Sequence, residues 1–135
     1  MITYKLAQEI VTQTMLRLHH NINVMNLDGT ILASGDPTRI EHYHGATKEI
    51  VETQKPVYIY EEDTERYPNT KPGINLPIFF QDEIVCTIGI TGNPDAIEGI
   101  VAENIPTWDD WVEFVDDIVD NKTTDYADLR VVFAD

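Results

Sequence analysis

The six residues 34–39, SGDPTR, gather groups that could hold a small carboxylate. Arg39 can clamp such a group with two parallel charge-assisted hydrogen bonds. Ser34 and the backbone amides around Gly35 can donate to its second oxygen or to a neighbouring hydroxyl, and Asp36 belongs to the same candidate set. His44 can add a further donor. Lys71 and Asn75 sit where a polar loop gives way to an apolar strand, a place from which they could close a pocket. Each residue also has a plainer use. Asp36 can cap a helix, Arg39 can pair with a surface acid, and Asn75 can satisfy loop backbone.

Other chemistry finds less footing. His19-His20 and the His42/His44 pair invite a metal, but a zinc site needs a third and usually a fourth ligand. Cys86 is the one cysteine and lies in the apolar run 84–88, IVCTI, which implies a buried reduced thiol and rules out a disulfide framework. Ser34 has no nucleophile-elbow context, the carboxylates form no recognisable catalytic pair, and no glycine-rich phosphate loop occurs. No enzyme activity, metal or cofactor is expected.

The elements that must position these residues follow from periodicity. Leu6, Ile10, Val11, Thr14, Met15 and Leu18 keep to one side of a helix over 4–19. Residues 21–26, NINVMN, alternate as a half-buried strand. Asp28-Gly29 turns that strand into a second one over 30–34. The Gly35-Asp36-Pro37 step breaks it, and Asp36 or Thr38 can cap what comes next. A helix is expected within 46–54, with Ile50 and Val51 facing inward. A short strand over 56–60 reads as an edge because of Pro56. Residues 61–73 form a polar loop or lid. Two strands, 74–80 and 83–91, then flank a turn at Gln81-Asp82, and Gly92-Asn93-Pro94 ends the sheet. Tight turns between most strands imply an α+β fold with a mainly antiparallel sheet flanked by helices, of the PAS/Cache kind.

The charge is uneven. The chain has 135 residues and a formal net charge of -15, and residues 95–135 hold 12 of its 24 acids but only 2 of its 9 bases. Such a field disfavours direct nucleic-acid binding and anionic membranes, and suits a basic protein partner. Thr107 can cap an acidic helix whose Trp108, Trp111, Val112, Val115 and Val119 form one stripe. Asp109, Asp110, Glu113, Asp116, Asp117 and Asp120 lie largely opposite. The stripe can dock on the sheet with the acids in water, or the acids can imitate a phosphate backbone. A last strand is read at 129–133. With no signal pattern and no apolar run near the roughly 20 residues a membrane span needs, a soluble cytoplasmic protein is expected.

Three stretches carry more than architecture: residues 21–40 (NINVMNLDGTILASGDPTRI), 71–78 (KPGINLPI) and 88–94 (IGITGNP). In this order and spacing they resemble the N-terminal recognition domain of the bacterial sugar-diacid regulator family, over about residues 4–98. The resemblance implies a PAS-like domain that senses small hydroxy-acids or sugar diacids ahead of a DNA-binding region. The ligand would meet Ser34, Gly35, Asp36, Arg39, His44, Lys71 and Asn75. Three positions depart from the family pattern: Glu41 where the family reads Arg-Ile-Gly, a His44-Gly45-Ala46 element one residue short, and Cys86-Thr87 in place of a small apolar pair. The chain thus divides into a sensory domain, 1–98, and an acidic extension, 99–135, packed on it, with the first helix able to pair two chains into a homodimer. The alternative is an acidic inhibitor of anti-CRISPR or anti-nuclease type, a nucleic-acid mimic built on a sensor scaffold.

Overall fold

The computed structural model describes residues 2–80 and 82–104, together with a short strand at 129–131. Helix α1, Tyr4–Leu18, begins where the Thr3 side chain accepts a hydrogen bond from the Leu6 amide at 3.1 Å. It stops at His19, whose left-handed φ of 57° lets its amide bond back to Met15. Between the caps, Leu6, Ile10, Val11, Thr14 and Leu18 form the buried stripe that the spacing predicts.

Strands β1, Ile22–Met25, and β2, Ile31–Ser34, form a hairpin whose turn needs the φ of 91° at Gly29. A single 3-10 turn, Pro37–Arg39, follows, with Asp36 as its cap. Next come α2, Thr47–Thr53, and β3, Val57–Ile59, with Ile50 fully buried and Val51 half-buried. A second 3-10 turn, Glu61–Asp63, opens the loop that leads to β4, Gly73–Phe80. Strand β5, Glu83–Thr91, returns antiparallel with Phe80 opposite Glu83, as the Gln81-Asp82 signal requires.

The sheet order is β2-β1-β5-β4-β3, and every pairing among the described strands is antiparallel. Strand β3 pairs with residues 73–75 of β4. The last strand, β6, Leu129–Val131, pairs with residues 78–80 of β4. The α+β layout with helices flanking an antiparallel sheet is therefore the one the turns implied. One face of the sheet, including Ile22, Val24, Ile74, Leu76, Ile78, Cys86, Ile88 and Ile90, packs with α1 into the main core. A smaller cluster of Ala46, Ile50, Val57, Ile59 and Tyr67 lies under α2.

Two readings change. Strand β1 is not half-buried: all four of its residues are buried. Ile22 and Val24 join the main core, while Asn23 and Met25 project to a second face that α2 and the loops cover. The polar residue of the alternation is thus enclosed instead of solvated. A third helix, α3, Pro94–Asn104, also stands where the sequence showed only the end of the sheet. Its signals were present. The Asn93 side chain accepts from the Asp95 amide, Pro94 begins the first turn, and Ile97 and Val101 bury one turn apart against the main core. The helix runs without a break through residue 98. The acidic helix read over 107–120 lies outside the described residues.

Residue 41 explains one departure from the family pattern. Glu41 has a φ of 74°, in the region where glycine is free and other residues are strained. Its amide donates to Ile31 and its exposed carboxylate accepts from the Tyr4 hydroxyl at 2.8 Å. A glycine here would adopt this backbone without strain. Glu41→Gly is expected to stabilise the fold by up to about 1 kcal/mol, read by urea unfolding, since the exposed Tyr4 bond is worth less than the relieved strain. A clear loss of stability would show that the Tyr4 contact outweighs the backbone.

Candidate ligand-binding site

The second face of the sheet carries a polar row. Across the strands, Ser34 pairs with Asn23, Asn23 with Gly89, Gly89 with Asn75, and Asn75 with Val57. The glycine between two asparagines has a steric cause: a Cβ at Gly89 would come within 2.6 Å of the Asn75 amide oxygen. Its absence lets that amide lie across the sheet. Above the row sit Arg39, from the Pro37–Arg39 turn, and His44, with Lys71 at the start of the approach to β4. The enclosed space between them is about 10 Å³, close to what a single water occupies.

Asn23 and Asn75 are held from the side. The Ser34 hydroxyl donates to Asn23 Oδ1 at 2.5 Å and accepts from the Asp36 amide at 3.0 Å. Asn21 Nδ2 donates to the same Asn23 oxygen at 3.3 Å. With its oxygen so engaged, Asn23 can offer its NH2 elsewhere. Asn75 Nδ2 donates to the Val57 carbonyl at 3.4 Å, which leaves the Asn75 oxygen over Gly89.

Arg39 and Lys71 are the charged residues lining this cleft among the described residues, and Arg39 is the more buried of the two. Its Nη2 donates to the Asn69 carbonyl at 3.1 Å. Its Nη1 is buried and has no hydrogen-bond partner among the described residues. A guanidinium nitrogen left without a partner away from water costs on the order of 1–3 kcal/mol, so the position favours any acceptor that can reach it. Burial works against the charge of Arg39, and the nearby Asp36 carboxylate partly offsets this.

His44 is 3% exposed, and burial, aided by the Arg39 charge, lowers its pKa from 6.5 to about 4. It is therefore neutral at pH 7. Its Nδ1 accepts from the Ala46 amide at 3.4 Å, which assigns the proton to Nε2 and makes that nitrogen the donor. Asp36 caps the 3-10 turn. Its carboxyl is held below the usual range by bonds from the Thr38 hydroxyl and amide, with smaller help from Lys71 and Arg39.

The loop over 61–72 straps the site. Tyr67 is buried, donates its hydroxyl to Glu49 and accepts from Arg66. The Gly45 amide donates to the Pro68 carbonyl at 2.9 Å, and a side chain at Gly45 would collide with the Pro68 backbone. The His44-Gly45-Ala46 element thus lies directly against the strap. Of the residues named from sequence, Arg39, His44, Lys71 and Asn75 line one cleft. Ser34 and Asp36 brace it from behind, and Gly35 packs against Met15 on α1. Asn23 and Gly89 were not named. Asparagine inside an otherwise apolar strand was their available signal.

Among the described residues no group of three or more His, Cys, Asp or Glu side chains could hold a metal. His42 is exposed while His44 is buried. Cys86 lies in the main core, where burial pushes its thiol up to about 12.

Comparison with known proteins agrees on the fold. Residues 2–102 match the family described as "Putative sugar diacid recognition". The carbohydrate diacid regulator of Escherichia coli (strain K12) is 38% identical over 91 residues, 67% of this chain and 24% of the relative. The uncharacterized protein YsfB of Bacillus subtilis (strain 168) is 30% identical over 93 residues, 69% of this chain and 25% of the relative. This chain thus spans about a quarter of the length of these relatives. The GAF domain from Acinetobacter phosphoenolpyruvate-protein phosphotransferase superposes with a TM-score of 0.56 at 12% identity, covering 90% of this chain and 84% of that one. That likeness concerns the fold alone.

His44 also dictates a pH dependence. An unfolded imidazole takes up its proton near pH 6.5, whereas folded His44 does so only near 4. Acid between these values therefore favours the unfolded chain. Stability from this group is complete above pH 6.5 and falls by ~3 kcal/mol by pH 4. His44→Gln is expected to flatten the stability profile over that window, measured by urea unfolding at stepped pH. An unchanged slope would assign the loss to other groups.

Proposed function

This chain belongs to the sugar diacid recognition family, and we propose that it acts as a non-enzymatic sensing domain for a small hydroxy-acid or sugar diacid. The observation that carries this reading is the buried Arg39 Nη1 without a partner, set among neutral donors. A carboxylate placed there would accept from Nη1, from His44 Nε2–H and from the Asn23 amide, a cation with neutral donors around it. Lys71 adds a second positive charge at the edge of the cleft. The regulator name of one relative fits a sensing role in regulation.

The closed cleft sets a condition on binding. At about 10 Å³ it cannot take a hydroxy-acid without movement. The strap is the element that would have to shift, against its ties of Gly45 to Pro68, Arg39 to Asn69, Tyr67 to Glu49 and Gly92 to Pro72. A ligand would then exchange the Arg39–Asn69 bond or add to it. A neutral His44 suits this role, since it donates without adding a charge to be desolvated.

The other reading, an acidic nucleic-acid mimic of anti-CRISPR type with a basic protein partner, draws no support from these comparisons. Its residues, Asp109, Asp110, Glu113, Asp116, Asp117 and Asp120, lie outside the described part of the chain. No helix among the described residues is long and apolar enough to cross a membrane.

Thermal unfolding with glycerate, glucarate and galactarate tests the proposal. A ligand at 100 times its Kd should stabilise the fold by about 2.7 kcal/mol, a shift of several degrees. Arg39→Gln is expected to weaken binding about tenfold or more, and Arg39→Lys to recover part of it by restoring charge without the fork. No shift with any acid, or equal shifts in wild type and Arg39→Gln, would refute it.

A further inference from the structure

A wider cleft adjoins the tight one. A surface cleft of about 530 Å³, within the range of small-molecule pockets, lies between the 61–72 strap and the end of β5. Lys71, Pro72 and Thr91 line both spaces, so the two clefts are neighbours with these residues between them. The two differ in chemistry. Inside are the unpartnered guanidinium nitrogen and neutral His44. Outside are Thr64, Thr70, Thr91 and Asn93, with Glu61 as the acid among them. The Thr64 and Thr70 hydroxyls donate to the Glu61 and Tyr67 carbonyls and keep lone pairs to accept with, and the Asn93 oxygen already accepts from the Asp95 amide. Lys71, at the junction, is exposed and carries its ammonium on a flexible stem.

We infer that the ligand is held end-on, with one carboxylate buried at Arg39 and a second, at the far end of a hydroxylated chain, read by Lys71. This rests on the carboxylate-binding role of Arg39 proposed above. Size gives the direction: once the strap shifts, the inner space would take at most a head group, while the outer one already has room for a chain. Charge gives the specificity. Lys71 and Glu61 leave the outer cleft without net charge, so a polyhydroxy chain is accepted there by the threonines, Asn93 and Glu61. A terminal carboxylate is favoured only where it reaches Lys71 and is disfavoured by Glu61. Lys71 is thus a specificity-determining residue that separates diacids from monoacids of equal length, and Arg39 serves both.

Calorimetric titration of the chain with galactarate and with gluconate, six-carbon acids bearing two carboxylates and one, tests this. Lys71→Gln is expected to weaken galactarate about fivefold, the effect of one exposed ion pair, and to leave gluconate within about twofold. Glu61→Gln should tighten galactarate more than gluconate. Arg39→Gln should weaken both. Equal weakening of both acids by Lys71→Gln, or no change in either, would overturn the end-on assignment while leaving the role of Arg39 standing. If wild type binds neither acid and no shorter acid, the carboxylate-binding role itself falls and this inference with it. Both Lys71 and Glu61 are exposed, so their variants should fold, and unfolding midpoints will confirm it.

Discussion

Arg39 places a guanidinium where water reaches only part of it. One nitrogen is satisfied by the Asn69 carbonyl and another is buried without a partner. A charge so placed is costly unless its surroundings hold it for a purpose. Much of the second face can be understood from this constraint. The 3-10 turn capped by Asp36 fixes where Arg39 starts, Asp36 lends it a nearby opposite charge, and the strap supplies an acceptor in the Asn69 carbonyl. Beside it, His44 gives up its own charge, chiefly because it is buried and to a lesser degree because the Arg39 cation opposes it.

The sheet beneath solves a different problem. A strand covered on both faces must give every enclosed polar side chain a partner. Here the partners come from the same row: Ser34 serves Asn23, and Val57 serves Asn75. Gly89 separates the two amides and keeps the floor flat. The opposite face is almost wholly isoleucine, leucine and valine against α1 and α3, and provides the rigidity. One face of the sheet therefore stabilises the fold while the other carries the polar row beneath the strap. A division of this kind suits the sensing role proposed above, because the strap packs on the smaller cluster through Tyr67 and not on the main core.

Several signals were readable along the chain. The helix of residues 4–18, the glycine turn at 29, the two-residue turn before Glu83 and the Asp36 cap all depend on neighbours within a few positions, and each stands where the pattern put it. The types of residue suited to a carboxylate were legible as well: Arg39, His44, Lys71 and Asn75 do share a cleft. Helix α3 was missed although Asn93 and Pro94 marked its start, because a Gly-Asn-Pro step reads equally as a stop.

Alternation in residues 21–26 showed that Asn23 and Met25 lie on the side away from Ile22 and Val24. It could not show that this side is covered, since the cover comes from segments some 20–50 residues further on. The same limit applied to Ser34, whose hydroxyl is spent on Asn23 and the Asp36 amide, and to Glu41, which turns away from the cleft toward Tyr4. Local chemistry determined what these residues are able to do. Tertiary packing decided which atoms remain unpartnered, because hydrogen-bond partners are exhausted in space and not in sequence.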